Sequence, residues 1–447
     1  MISFPSLKSS LKQYRLTSAQ AWSDRLTIWL AAVAAGLSIV GFSYFTELAL
    51  ERFYLLRNFS NWAPLIVTPL GGVAVVWLTR RYFPYAAGSG IPQVIVAMDT
   101  SVKPTVIHQL VSIPVAFAKC LLGSIALACG FSTGREGPSV QIAAAVFYRM
   151  RSGLSHRTIL HERDLLLAGG AAGIAAAFNA PLAGIVFAIE ELSKRFEQRT
   201  SGLIVTGIVL AGLVAVAIQG NFTYFGRLHI DVLSPALLIP GAICALVSGL
   251  LGGFFSRLLI QSTIGTEDWA SQLRQRRPLF FAAGCGLMIA ILGFISDGAA
   301  HGSGYQYTKQ VLDGGEHMPM FYVGTKLIAT WLSYWSGVPG GIFAPSLAIG
   351  AGIGNDIAIL TQSVSPQAIV AIGMVGFLAA VTQAPITSFI IVMEMIDGHA
   401  MVLSLMATAL TSATIARLIS PSLYHSLALL MRQKLEPVTV NRPTLSS

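Results

Sequence analysis

The sequence predicts an all-α protein that crosses a membrane many times and consists of two repeated halves. Three observations lead there: scarce charge, a succession of long uncharged apolar runs, and an internal repeat. Of the 447 residues, 54% are hydrophobic and 11% charged, against about 25% charged in an ordinary soluble domain. Mean hydropathy is +0.68. Uncharged runs cover Thr27–Thr46, Asn58–Thr79, Leu165–Ile189, Thr200–Gly226, Val232–Ser256 and Ile357–Met393. A helix needs roughly 20 mostly apolar residues to cross a bilayer, and each run supplies them. Hydropathy predicts roughly ten or more crossings, some of them short.

The ends and loops set the expected orientation. Residues 1–26 are polar and basic, with Lys8, Lys12, Arg15 and Arg25. They hold no short apolar core before a cleavage site, so no cleaved signal peptide is expected. The net charge of +9 sits largely in "YRMRSGLSHR" (148–157), "SKRFEQR" (193–199) and "RQRRP" (274–278). That is the positive-inside pattern, which explains the basic excess without a nucleic-acid partner. Arg432 and Lys434 extend it, so both termini are expected in the cytoplasm, with an even number of crossings. Cys120, Cys129, Cys244 and Cys285 lie in or beside apolar runs without paired spacing and read as small buried residues. No histidine pair has metal-ligand spacing, and neither metal nor cofactor is expected.

The repeat is the most informative long-range feature. "GGAAGIAAAFNAPLAGIVFAIE" (169–190) aligns without gaps to "GMVGFLAAVTQAPITSFIIVME" (373–394), matching Ala180-Pro181 to Ala384-Pro385 and Glu190 to Glu394. "AAGSGIP" (86–92) pairs with "AHGSGYQ" (300–306), and "PSVQIAA" (138–144) with "PSLAIGA" (345–351), at offsets of 204 to 214 residues throughout. A transmembrane domain is therefore assigned to residues 27–431, with halves at about 27–225 and 232–431. A cytoplasmic segment, 1–26, precedes it, and a cytoplasmic tail, 432–447, follows. The tail is far shorter than the roughly 50 residues a domain needs. Transporters often place their substrate at such a repeat interface, where short or Gly/Pro-broken helices aim their ends at it. Inverted and parallel halves fit the pattern equally.

Three glycine-rich segments end in proline: "GSGIP" (88–92), "GREGP" (134–138) and "GGIFAP" (340–345). Glycine permits unusual backbone angles, and proline suits the first turn of a helix. Each segment thus reads as a non-helical approach to a helix start, with unpaired N–H groups and the positive end of the helix dipole. In lipid such donors must be satisfied or must line a cavity. Their convergence would make an anion site of partial charges, from which an ion can still leave. The plainer alternative is that these glycines only allow close helix packing. A carboxylate in that setting, Glu136, can occupy the anion site itself: amide donors favour its charged form and burial its neutral form.

These motifs resemble those of the CLC family of chloride channels and proton/chloride antiporters. "GSGIP", "GREGP" and "GGIFAP" stand in the family's order, and a fourth element, the tyrosine opening the last helix, matches Tyr424 in "SLYHSL". The resemblance spans about residues 27 to 431. It implies short, broken helices whose N-termini converge on an anion site, and a chloride held by the Ser89 and Tyr424 hydroxyls and the amides of Ile342 and Phe343. Gly88, Gly90, Pro92, Gly134, Arg135, Gly137, Pro138, Gly340, Gly341 and Pro345 form the motif backbone. Glu136 is implied as gate and proton acceptor, while Arg135 either shapes the local potential or pairs structurally.

In "FAIEEL" (187–192) the resemblance implies that Glu191 relays protons from the cytoplasm, a position where channel members typically have valine. Read alone, an acid at a helix end beside a basic loop is an ordinary solvated charge. Glu190, repeated as Glu394, reads as a structural acid satisfying nearby donors. Serine in "GSGIP" goes with chloride in the family, proline with nitrate, and fluoride exporters depart from the motif. Antiporters often carry acids just after it, whereas Gln93, Val94 and Ile95 follow here. Lys119 either raises the anion potential or partners a buried carbonyl.

The function expected is chloride/proton exchange by a homodimer with one pathway per subunit, in a bacterial inner membrane. A passive chloride channel of the same fold is the nearer alternative. An intramembrane serine hydrolase using Ser89 is the remote one, since "GSG" lacks the full nucleophile elbow and no histidine is placed by a recognisable pattern.

Overall fold

The computed structural model describes residues 19–435 apart from 156, 157, 159, 194–200, 221, 222, 227, 229–234 and 266–267. Most of the two terminal segments, and parts of the basic loops 148–157 and 193–199, lie outside the described residues. Everything described is helix or connection, and two isolated backbone bridges are the sole sheet-like pairing among these residues.

The first half contains α1 Ala19–Phe59, α2 Pro64–Tyr82, α3 Ile91–Ala97, α4 Pro104–Leu110, α5 Ile113–Ala128, α6 Glu136–Arg149, α7 Glu162–Phe178, α8 Pro181–Phe187 and α9 Ser201–Gln219. A π-helical turn, Ala188–Ser193, follows α8. The second half contains α10 Leu238–Ile264, α11 Trp269–Arg276, α12 Pro278–Ile295, α13 Tyr305–Leu312, α14 Tyr322–Ser336, α15 Phe343–Leu360, α16 Pro366–Thr382, α17 Pro385–Ile396, α18 Val402–Arg417 and α19 Leu423–Leu435. Among the described residues, seven helical stretches are long and apolar enough to span a bilayer.

Two of the uncharged runs are not single spans. Leu165–Ile189 breaks at Asn179 (φ 56°) and Ile357–Met393 breaks at Gln383 (φ 59°), both in the left-handed region. That conformation ends a helix. The Ala-Pro that follows each starts the next helix, where proline's missing N–H costs nothing. A hydropathy window averages over about 19 residues and carries no backbone conformation, so one left-handed residue does not stand out in it.

The repeat in sequence is a repeat in space. Gly134 N–H donates to Gly341 C=O at 2.7 Å, and Gly341 N–H returns the bond to Gly134 at 2.7 Å. This antiparallel pair joins residues 207 apart, so equivalent positions meet each other, as they do on a local twofold axis. A second reciprocity lies between the broken helices. Glu190 accepts from the N–H groups of Ile386 (3.1 Å) and Thr387 (2.6 Å) at the start of α17. Glu394 accepts from Leu182 (3.2 Å) and Ala183 (2.7 Å) at the start of α8. Each half thus caps the other's short helix, and Glu190 is the structural acid the sequence suggested.

Glycine sets how closely helices meet within each half. A β-carbon on Gly169 or Gly173 of α7 would press on α6, at 2.7 Å from Ala144 Cα or 2.5 Å from Ser139 O. In the second half, β-carbons on Gly350 of α15 and Gly373 of α16 would meet each other's carbonyl oxygens, at 2.4 Å and 2.2 Å. Apolar helices in lipid associate through such backbone approach.

Gly373→Ala is therefore expected to separate α15 from α16 and destabilise the protein by roughly 1–3 kcal/mol. Gly284→Ala on α12, where a β-carbon meets nothing within 4 Å, serves as control. Thermal unfolding of the purified protein in detergent checks this, and equal melting temperatures for the two variants would refute the packing argument.

Candidate functional site

The three glycine-rich segments converge on one place. In "GSGIP", Gly88 (φ 67°) and Gly90 (φ 109°) take angles that side chains disfavour, and Gly90 turns the chain into α3. Gly340 N–H donates to Gly88 C=O at 3.1 Å, which joins the first segment to the third. The Gly134–Gly341 pair joins the second to the third. Close approach joins the first to the second: a β-carbon on Gly137 would lie 2.3 Å from Ser89 Oγ. These glycines do more than allow helix packing. They bring the starts of α3, α6 and α15 together, where N–H donors and dipoles favour negative charge.

Glu136 is the first residue of α6 and is completely buried. Its carboxylate folds back over the helix starts. Oε2 accepts from the Ala344 N–H at 3.3 Å, and the N–H groups of Arg135 and Glu136 also face it. The carboxylate thus holds anion-binding donors of two helices at once. Arg135 points away, with Nη1 2.6 Å from Glu47 Oε1 and the guanidinium 5.5 Å over the Tyr224 ring. It pairs structurally. An open cleft of about 710 Å³ reaches Glu136 and Arg135 from outside, past Glu47, Tyr224 and Ser303.

Beyond Glu136 lie two buried hydroxyls. Ser89 Oγ and Tyr424 OH sit close enough to interact, yet neither has a conventional hydrogen-bond partner among the described residues. A buried hydroxyl without a partner is costly unless it serves a ligand. Tyr424 opens α19 and stacks on the Phe343 ring, with centroids 5.8 Å apart and planes 17° apart. Ile342 and Phe343 lead into α15, both buried, so their amides belong to the same cluster. Ser89, Glu136, Ile342, Phe343 and Tyr424 are therefore brought together.

Glu191 lies on another side of Tyr424, in the π-helical turn, and its side chain is only 3% exposed. It is not the solvated surface acid that isolated reading favoured. The wider turn lets adjacent glutamates serve different purposes, Glu190 capping α17 and Glu191 facing α19. Lys119 settles on the carbonyl role: its Nζ, fully buried, donates to Ala86 O (2.7 Å) and Gly88 O (2.7 Å). Gln93 donates to Ala87 O at 2.7 Å.

Two residues of this region went unnoticed in the sequence. Lys326 Nζ donates to the carbonyls of Ala300, His301 and Gly302 at 3.2, 3.0 and 2.7 Å. It stands 207 residues after Lys119, so the repeat offset would have found it. His425 follows Tyr424, with Nδ1 3.6 Å from Glu191 Oε1. No spacing connects residues 191 and 425, and only the fold joins them.

A profile of the family described as voltage gated chloride channel matches residues 71–417. The chain is 30% identical over 377 residues to a protein of Vibrio parahaemolyticus named H(+)/Cl(-) exchange transporter ClcA, covering 80% of this chain and 77% of that one. It is 29% identical over 403 residues to the ClcA of Salmonella arizonae, covering 85% and 81%. Among solved structures it superposes on a slow cyanobacterial Cl-/H+ antiporter with a TM-score of 0.80 at 24% identity, over 92% of this chain and 99% of that one. A CLC-type fluoride/proton antiporter gives 0.73 at 21% identity, over 90% and 96%. These superpositions show the fold.

Lys119→Met would leave the Ala86 and Gly88 carbonyls without their buried donor. It is expected to lower stability by roughly 1–3 kcal/mol, with Lys326→Met acting in the same direction. Detergent melting curves unchanged in both variants would remove the lysines from the account.

Proposed function

The chain belongs to the voltage gated chloride channel family, and on that premise we propose that it exchanges chloride for protons across the membrane, with Glu136 as gate. The observation that carries this is the placement of the Glu136 carboxylate. It lies buried on the N–H donors of α6 and α15, next to two unpartnered hydroxyls. A carboxylate there and a chloride ion compete for the same partial positive charge. When a proton neutralises Glu136, the side chain loses its hold on those donors and chloride can take its place. When chloride leaves, the ionised side chain returns. One group therefore alternates the two ions.

Chloride rests on the Ser89 and Tyr424 hydroxyls and the Ile342 and Phe343 amides. Protons reach Glu136 from the cleft on one side and pass Glu191 on the other. A buried carboxylate at position 191 supports exchange over passive conduction. Ser89 as a hydrolase nucleophile would need a general base in hydrogen-bond reach, and none is bonded to its Oγ among the described residues. The basic loops support a cytoplasmic location for both termini in a bacterial inner membrane, and the family resemblance supports a homodimer with one pathway per subunit. Moving chloride one way and protons the other transfers net charge, about 2.3 kcal/mol per charge per 100 mV, so the flux responds to voltage.

In sealed liposomes clamped at zero voltage, an imposed chloride gradient should drive protons uphill. Glu136→Gln, which cannot take up a proton, should abolish that coupling, and wild-type proton flux in this variant would overturn the gate assignment. Combined Ser89→Ala and Tyr424→Phe should weaken chloride binding in calorimetry by about 1–3 kcal/mol, and unaltered binding would displace the anion from this site.

A further inference from the structure

Tyr424 and His425 are consecutive residues of α19, and both reach the pathway. Tyr424 sets its hydroxyl beside Ser89, while His425 sets its ring beside Glu191. The His425 Nδ1 lies 3.6 Å from Glu191 Oε1, so an adjustment of about 0.7 Å would make a hydrogen bond of ordinary length. Their exposures differ in an instructive way. The Glu191 side chain is 3% exposed and that of His425 26%, so the imidazole meets the buried carboxylate while part of its own surface stays open.

Among the described residues, the helices packed on α19 bring no other histidine and no carboxylate. Of the helices packed on α19, α3 and α16 carry no ionisable side chain, and α10 carries only Cys244 and Arg257. Further along α19, Arg432 pairs with Asp99 at 2.7 Å, and Lys434 donates to Thr263 O at 3.3 Å. Gln93, Val94 and Ile95, directly after "GSGIP", offer no carboxylate, and Gln93 is occupied with the Ala87 carbonyl. Histidine is also the side chain that gains and loses protons most readily near neutral pH.

We propose that His425 is the proton-handling partner of Glu191, an inference that rests on the exchange reading given above. A proton from solvent binds the ring. The Nδ1–H bond then breaks as an O–H bond forms on the Glu191 carboxylate. The ring, left neutral, takes its next proton from solvent. No electrons change hands, and the reverse sequence releases a proton.

The test uses the full-length protein in liposomes, comparing His425→Asn and His425→Gln with wild type between about pH 5 and pH 8. The readouts are the ratio of proton to chloride flux and the pH profile of the proton flux. Loss of a positioned acid–base group should lower the ratio roughly tenfold or more and change the shape of the profile. A wild-type ratio and profile in both variants would overturn the proposal. So would a parallel fall of both fluxes at constant ratio, since that marks a packing residue. Glu191→Gln, assayed alongside, separates the two layers. If it keeps the wild-type ratio, the relay through Glu191 fails and the histidine's role with it. If it loses coupling while the His425 variants keep theirs, only the histidine proposal falls.

Discussion

Two hydrogen bonds of 2.7 Å, exchanged between Gly134 and Gly341, hold together the place where buried helices begin. The constraint behind them is that backbone polar groups removed from water must find partners inside the protein. Breaking helices in mid-membrane multiplies those groups, and the rest of the architecture supplies their partners. Glu190 and Glu394 take the N–H groups of α17 and α8. Lys119 and Lys326 take the carbonyls of the two "GSG" loops. The amides at α6 and α15 are met by Glu136, a carboxylate with no counterpart in the other half, and this exception is where transport is proposed to occur.

The partners that only maintain structure obey the repeat, and the two carboxylates proposed to carry protons break it. Glu190 has Glu394, Lys119 has Lys326, and Asn179 has Gln383, the last two carrying the same left-handed turn. At the offset of 207, however, Glu136 corresponds to Phe343, and at 204, Glu191 corresponds to Met395. Where one half places a carboxylate, the other places an apolar side chain that packs. Phe343 stacks on Tyr424 and contacts Phe178 and Phe187. Ser89 faces the buried centre, while its counterpart Ser303 lines the open cleft.

Much of this was legible in the chain. The class follows from hydropathy. The meeting of three helix starts follows from glycine and proline, because those residues have few other reasons to punctuate apolar sequence in that way. Glu190 was legible as a cap because it recurs as Glu394. The broken runs at Asn179 and Gln383 were not, since a windowed hydropathy average carries no backbone conformation. The burial of Glu191 was not legible from its neighbours either: a solvated acid and a buried one read alike until the fold shows what covers them. His425 lies 234 residues from Glu191, and a contact at that separation exists only once α19 has packed.

The exchanged caps also bear on how the chain is made. The start of α8 waits for Glu394, and Glu190 waits for the start of α17, so each clasp joins segments synthesised about 200 residues apart. At roughly 5–20 residues per second, that interval lasts on the order of 10–40 s. Throughout it, the first half sits in the membrane with uncapped amides and an unengaged carboxylate, a poor combination for lipid. A newborn first half must therefore stay sheltered, shallow or wet until its partner arrives, and neither clasp can close before the second half's broken helix has been made.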